Sequence, residues 1–277
     1  MQLSICSYSF HRALAAGEQD IFKYITDCKE LGCTQLDPWN GHLAQLKDGD
    51  EVFQAGHDPK NAELSAQDDD YIQRVKAAGD AVGLPFGCIA VDGAHVYDED
   101  PAMRRVYRQR AYRWIEIASM LGAQQIRLDS GGTGEMPEPM FEIIADGFRD
   151  LVARARAANL EVVLENHWGA SQVPENVVRI IGAVPCLGLL FDTNNWAAGR
   201  QEDGWHSCAK YAKITHIKTF AVSDELVESS CDLPKAIGLL VESGYSGCWG
   251  VESCPRDGDE YGAARKTIQL IRHALGL

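Results

Sequence analysis

Short apolar runs alternate along the chain with longer stretches whose apolar residues recur at every third or fourth position. Gln2–Phe10 opens as a strand ending at His11, and Asp20–Leu31 follows with helical spacing, closed by Gly32 where a helix C-cap belongs. Thr34–Leu36 reads as a second strand and Asp68–Val82 as a second helix. Between them, Gly41–Ser65 is polar and aperiodic, the pattern of a lid or of a loop with a short helix. Pro85–Val91 and Gln125–Leu128 are strands three and four, separated by a helix from Asp100-Pro101 to Leu121. Pro139–Ala158 is helical and Asn159 ends it. Strands five to eight are Val162–Leu164, Leu187–Phe191, Ile214–Lys218 and Cys248–Val251; helices over Pro174–Val184, Asp203–Ala212, Cys231–Gly244 and Tyr261–Leu275 follow them. Strict alternation implies parallel strands with right-handed crossovers. Eight such units point to an α/β fold of the (β/α)8 TIM barrel type, with residues 1–277 as one domain. The competing arrangement, a doubly wound open sheet, lacks support because no G-x-G-x-x-G turn follows any strand.

Composition narrows the class further. The chain has 277 residues, 45% of them hydrophobic, enough for one large core. Its formal net charge is −14 and no run of Lys or Arg forms a basic patch, which argues against a nucleic-acid partner. The nine Cys are scattered without a C-x-x-C pair, and Cys6, Cys88 and Cys248 lie within apolar runs, the pattern of buried reduced thiols. Met1 leads into a strand without a basic leader, and no apolar run approaches the roughly 20 residues of a membrane span. The expectation is a cytoplasmic protein with no membrane partner.

The strand ends carry the chemistry. Glu165, Asp192, His216 and Glu252 each stand at the C-terminal end of an apolar strand, or within it for His216, in consecutive units. A barrel gathers all its strand C-termini on one face, so the four converge. Three carboxylates and one imidazole suit Mn²⁺, Mg²⁺, Co²⁺ or Fe²⁺, with Zn²⁺ the less typical choice. Taken singly, each residue has a plainer role: His216 as a half-buried strand histidine, Asp192 as a cap of the following helix, Glu252 as a partner of Arg256.

The runs L-E-N-H, F-D-T-N-N-W, T-H-I-K-T and G-V-E-S resemble the xylose isomerase-like superfamily of barrels. Within it the chain is most similar to the sugar phosphate isomerase and epimerase branch, which includes D-tagatose 3-epimerase and hydroxypyruvate isomerase. The resemblance spans essentially the whole chain and is strongest from Glu161 to Ser253. It implies one divalent ion, often manganese, on Glu165, Asp192, His216 and Glu252. It also implies that Glu165 and Glu252 exchange protons with a small carbohydrate, and it is compatible with a homo-oligomer. Such proton abstraction beside a carbonyl yields isomerisation or epimerisation. If a β-hydroxyl leaves, the same apparatus is a lyase, of the inosose dehydratase or 3-keto-glycoside type.

The surrounding residues are read as substrate contacts. His167 and Lys218 follow metal-site strands and can bind hydroxyls or neutralise an enediolate; alternatively His167 packs on Trp168 and Lys218 pairs with an acid. Asn195 departs from the branch, which typically has a substrate-contacting His there, and Phe220, Ala221 and Val222 occupy the stretch where the epimerases place an Arg. Trp39, His95, Trp168 and Trp196 offer faces for sugar C–H groups, or pack the barrel top. Arg127 can meet a substrate oxygen or pair with Asp129. His11, His42 and His57 read as structural or exposed loop residues. Two other classes remain. An endonuclease IV-like enzyme would need three clustered metals and extra His residues that this chain lacks; a non-catalytic sugar-binding barrel would have no use for the quartet.

Overall fold

In the computed structural model, residues 1–44 and 69–277 are described. Seven strands form one parallel sheet: β1 (Leu3–Ile5), β2 (Cys88–Ala90), β3 (Gln125–Leu128), β4 (Glu161–Glu165), β5 (Gly188–Asp192), β6 (Ala212–Thr219) and β7 (Cys248–Ser253). Their order is β1-β7-β6-β5-β4-β3-β2. From β2 to β7 each strand thus lies beside its sequence neighbour, and β7 returns to pair with β1, as a curling barrel requires.

The segment expected to be a second strand is not a regular one. Residues 34–39 bridge the two edges of the sheet through isolated parallel pairs, Cys6 with Asp37, Leu36 with Phe86 and Trp39 with Ala90. Side chains replace part of the ladder. Thr34 Oγ1 accepts the Leu3 N–H at 2.9 Å, and Asp37 Oδ1 accepts the Cys88 N–H at 2.9 Å. Ser4 Oγ donates to Asp37 Oδ2. Pro38 has no N–H to contribute. The barrel is therefore closed by a seam of mixed backbone and side-chain hydrogen bonds, with seven regular strands among the described residues.

Other boundaries also shift. β1 stops at Ile5, and Ser7–Phe10 coil into a 3₁₀ turn before the short helix α1 (His11–Ala15), so Cys6 and Tyr8 fall at the strand's C-terminal end. Of the aperiodic stretch, Asn40–Leu43 is the short helix α3; positions 45–68, including His57, lie outside the described residues. The helix predicted at Asp203–Ala212 is α8 (Gln201–Cys208) followed by a 3₁₀ turn, which frees Ala212 and Lys213 to extend β6.

The remaining helices are α2 (Ile21–Glu30), α4 (Asp69–Val82), α5 (Pro101–Leu121), α6 (Glu138–Ala157), α7 (Pro174–Ala183), α9 (Leu233–Glu242) and α10 (Glu260–Ala274). They start where the side chains dictate. Asp20, Asp100, Asp232 and Asp259 each accept a backbone N–H of the first turn. α5 ends at Gly122 in the left-handed region, and Asn159 takes the same conformation just after α6. Two apolar layers result. The large one lies between helices and strands, with residues such as Val162, Leu164, Leu189 and Phe191. The small one contains Cys88, Val163, Leu190, Ile214 and Cys248, drawn from five strands, and fills the barrel interior. None of the described helices is long and apolar enough to cross a membrane. All nine Cys are free.

Candidate metal centre and active-site cavity

The period-2 alternation of strands builds the site on top of that inner apolar layer. Val163 is followed two residues on by Glu165, Leu190 by Asp192, Ile214 by His216 and then Lys218, and Cys248, through Gly250, by Glu252. Register aligns the tips: Asp192 pairs with His216, and Lys218 with Glu252. One ligand atom from each of Glu165, Asp192, His216 and Glu252 lies within 4.8 Å of the others, and all four residues are buried.

The electrostatics of the quartet are unusual for a packed interior. His216 Nδ1 stands 3.1 Å from Glu165 Oε1 and 3.2 Å from Glu252 Oε2. Burial opposes its imidazolium, yet neighbouring Cys6 and Glu165 hold its pKa well above the usual imidazole range. Asp192 moves the other way. Burial, with Glu252 and Glu165 nearby, pushes its carboxyl up to about 8, although Lys218 pulls it down. Asp192 Oδ1 accepts the N–H groups of Asn194 and Asn195, so it shapes its own turn instead of capping a helix. Glu165 Oε2, Asp192 Oδ2 and Glu252 Oε2 are buried without a hydrogen-bond partner. Glu165 Oε2 does lie 3.0 Å from Arg127 Nε, a charge contact that is not aligned as a hydrogen bond. Buried carboxylate oxygens left unbonded are costly. An oxygen-rich donor set with one imidazole, converging on one point, fits a hard divalent ion.

A cavity of about 200 Å³ opens above the quartet and touches Glu165 and Glu252. Its remaining wall comes from both halves of the barrel: Cys6, Tyr8, Trp39, Asp92 and Arg127 on one side, His167, Trp168, Asn195 and Lys218 on the other. Lys218 Nζ is fixed by Asn195 Oδ1 at 3.1 Å and Glu252 Oε1 at 3.3 Å. Asn195 Nδ2 reaches Glu165 Oε1 at 3.5 Å. Burial raises the Glu252 carboxyl, but Lys218 and His216 outweigh it and hold it well below the usual range. Arg127 and the two histidines likewise hold Glu165 low against burial.

Arg127 is the centre of a second charge cluster. Its NH1 donates to Asp92 Oδ1 at 2.7 Å and Asp129 Oδ2 at 2.9 Å. His167 Nδ1 is 3.2 Å from Asp129 Oδ1, and its ring stacks on Trp168 at 4.3 Å. Asp92, Asp129 and His167 also form a group of metal-ligand type. The guanidinium already neutralises both carboxylates, so this group is an ion-paired support of the cavity wall.

Among the predicted substrate contacts, His167, Lys218, Asn195 and Trp39 line the cavity, and Trp39 Nε1 donates to Asp92 Oδ2 at 2.8 Å. Trp196 does not. It is 5% exposed and packs on Phe191 and against Gly204, where a Cβ would meet the indole at 2.4 Å. It lies beyond the end of β5, in a turn that carries it into the helix layer. His95 also lies off the cavity, edge-on to Tyr107 at 5.3 Å, in a neighbouring cleft. Of the loop histidines, His42 is fully buried on α3, and His11 stacks on Tyr8. Cys6, expected only as a buried thiol, joins the cavity with Tyr8 and Asp92, which the sequence does not single out. The only signal for them was the position of Ser7–Phe10 and Asp92 at strand ends.

The comparisons agree with this architecture. Residues 27–274 match the xylose isomerase-like TIM barrel. The chain belongs to that family. No curated protein sequence matches it. Among solved structures it is similar to L-ribulose 3-epimerase, with 14% identity over 100% of this chain and 95% of that one and a TM-score of 0.75. It is also similar to 3-keto-D-glucoside 4-epimerase from E. coli, with 16% identity over 92% and 95% and a TM-score of 0.69. A third is the probable 3-DHS dehydratase from Bacillus anthracis, with 15% identity over 97% and 99% and a TM-score of 0.70. At these identities the likeness is one of fold.

Proposed function

We propose that the protein is a divalent-metal-dependent isomerase or epimerase of a small keto sugar, acting by proton transfer next to a carbonyl. The observation that carries this is the meeting of three unbonded buried carboxylate oxygens and His216 Nδ1 beneath a polar cavity. Glu165, Asp192, His216 and Glu252 would hold the ion, with Mn²⁺ the favoured occupant and Mg²⁺, Co²⁺, Fe²⁺ or Zn²⁺ as alternatives. Bound there, the ion supplies Lewis-acid stabilisation of negative charge on substrate oxygens.

The chain's own groups divide the remaining work. Glu165 and Glu252 stand on different strands at the cavity floor, both held ionised, so either can take a carbon-bound proton and the other return one. Lys218, pinned between Asn195 and Glu252, places a cation where an enediolate oxygen develops charge. Arg127 fixes the Glu165 carboxylate from behind. Trp39 supplies apolar surface for the sugar's C–H face.

A lyase reading has one specific observation behind it. Elimination needs an acid for the departing hydroxyl besides the base at carbon, and His167, oriented by Asp129, stands at the cavity wall as that extra proton carrier. The test is to incubate the Mn²⁺-loaded protein in D₂O with a panel of keto sugars. Solvent deuterium in recovered substrate or its epimer is expected, and an enone absorbance would instead mark the lyase. Neither signal across the panel, with metal content verified, would sink both readings.

A further inference from the structure

A second cleft lies on the far side of Trp168. That indole is 44% exposed, whereas Glu165 and Asn166 just before it are buried. It walls the catalytic cavity on one side and a second cleft of about 380 Å³ on the other. The second cleft is lined by His95, Tyr97, Asp98, Glu99 and Thr133, over a floor containing Gly131 and Gly132. The His167 ring stacked at 4.3 Å covers one face of the indole, and hydrogen bonds fix the backbone that carries it. The Ala170 N–H donates to Gly131 O at 3.0 Å, and Ser171 Oγ donates to Trp168 O at 3.2 Å. Gly169 has φ +65°, and a Cβ there would meet Gly131 O at 2.5 Å. The chain is thus pressed so closely onto the 131–132 turn that only glycine fits.

A preset, half-exposed indole facing carboxylates is a surface for a neutral polyhydroxylated ring. Sugar C–H groups lie on the aromatic face, and hydroxyls donate to Asp98 and Glu99. The acidic edge disfavours phosphate and carboxylate ligands. Arg104 does not offset it for a ligand, because its NH1 donates to the Asp98 and Glu99 carbonyls and its guanidinium sits 5.9 Å from the Tyr97 ring. We infer that this cleft is an outer subsite for a second sugar ring, so that the preferred substrate is a neutral glycoside whose ring ketone occupies the inner cavity. The inference rests on the proton-transfer reading above for the inner ring only.

Three compounds test it: a hexose with a ring ketone, its methyl glycoside, and a disaccharide carrying the same reacting ring. The metal-loaded protein should turn over the disaccharide with a kcat/KM about tenfold above that of the free sugar, the size of one added stacking contact. Thr133→Trp, which fills the outer cleft from an exposed position, should reduce that ratio toward one, mainly through the KM of the disaccharide. Glu99→Gln should move it the same way by less. Calorimetry with the reduced disaccharide, which cannot react, reads the subsite without turnover and should show weaker binding to Thr133→Trp. Equal kcat/KM for all three sugars, or equal calorimetric binding by both variants and the wild type, would overturn the subsite and leave the inner reaction standing. Normal disaccharide binding with no turnover or solvent exchange would instead support the subsite and defeat the proton-transfer reading.

Discussion

The two halves of the barrel contribute opposite things to the same cavity. From β4 to β7 come Glu165, Asp192, His216 and Glu252, whose oxygens are left partly unbonded. From β1 to β3 and the 34–39 seam come Trp39, Asp92, Arg127 and Asp129, which hydrogen-bond to one another. The difference teaches where ligand binding is stored. A half whose charges are satisfied internally is scaffold, and a half with buried unbonded carboxylates could hold a cation.

The comparison breaks most sharply if the second half is emptied. Glu165→Ala with Asp192→Ala should abolish stoichiometric metal and lower proton-exchange turnover by about 10⁴-fold or more. Elemental analysis of the purified variant checks this, and a retained equivalent of metal would refute the assignment. Next comes the scaffold side. Arg127→Leu strands Asp92, Asp129 and Glu165, so we expect a loss of about 3–5 kcal/mol and a melting point roughly 10 °C lower. An unchanged melting curve would show that the cluster is not structural.

Lys218→Met should keep the metal and lower kcat by about 10²-fold with a smaller change in KM, the signature of one lost charge-stabilising donor. A subtler effect follows from Asp192. Its folded pKa of about 8 lies above that of a free carboxyl, so its contribution to stability is complete below about pH 4 and is lost as pH rises through 8. A divalent ion displaces that proton, so the melting-point increase on adding Mn²⁺ should be larger at pH 8 than at pH 6. A pH-independent increase would mean that Asp192 is not a ligand. The smallest effect separates Trp39 from Trp196. Trp196→Phe should cost about 1 kcal/mol of stability and leave KM unchanged, whereas Trp39→Phe should raise KM. A raised KM in Trp196→Phe would return that residue to the cavity wall.

Much of this was readable in the chain because strand periodicity is local. Glu165, Asp192, His216 and Glu252 share the inward parity of Val163, Leu190, Ile214 and Cys248, so their convergence follows once the fold is a barrel. Trp196 lies beyond the end of β5, in the turn after Asp192, where strand parity no longer applies, and there it packs into the helix layer instead of the cavity. The same holds for His95, which lies beyond Asp92 in a turn and has no strand parity to read. The 34–39 segment looked like a strand by composition, yet its ladder is completed by Asp37 and Thr34 side chains that reach other strands.

The alternating α/β architecture and the four metal-type residues, three at strand ends and His216 within its strand, are legible in the sequence, because hydrophobic period and strand position are properties of neighbouring residues. Only the tertiary structure decided that Arg127 backs Glu165, that Asn195 and Glu252 pin Lys218, that Asp129 orients His167, and that Trp168 divides two cavities. Each of those depends on register between strands distant in sequence, where a shift of one residue would turn every side chain to the opposite face.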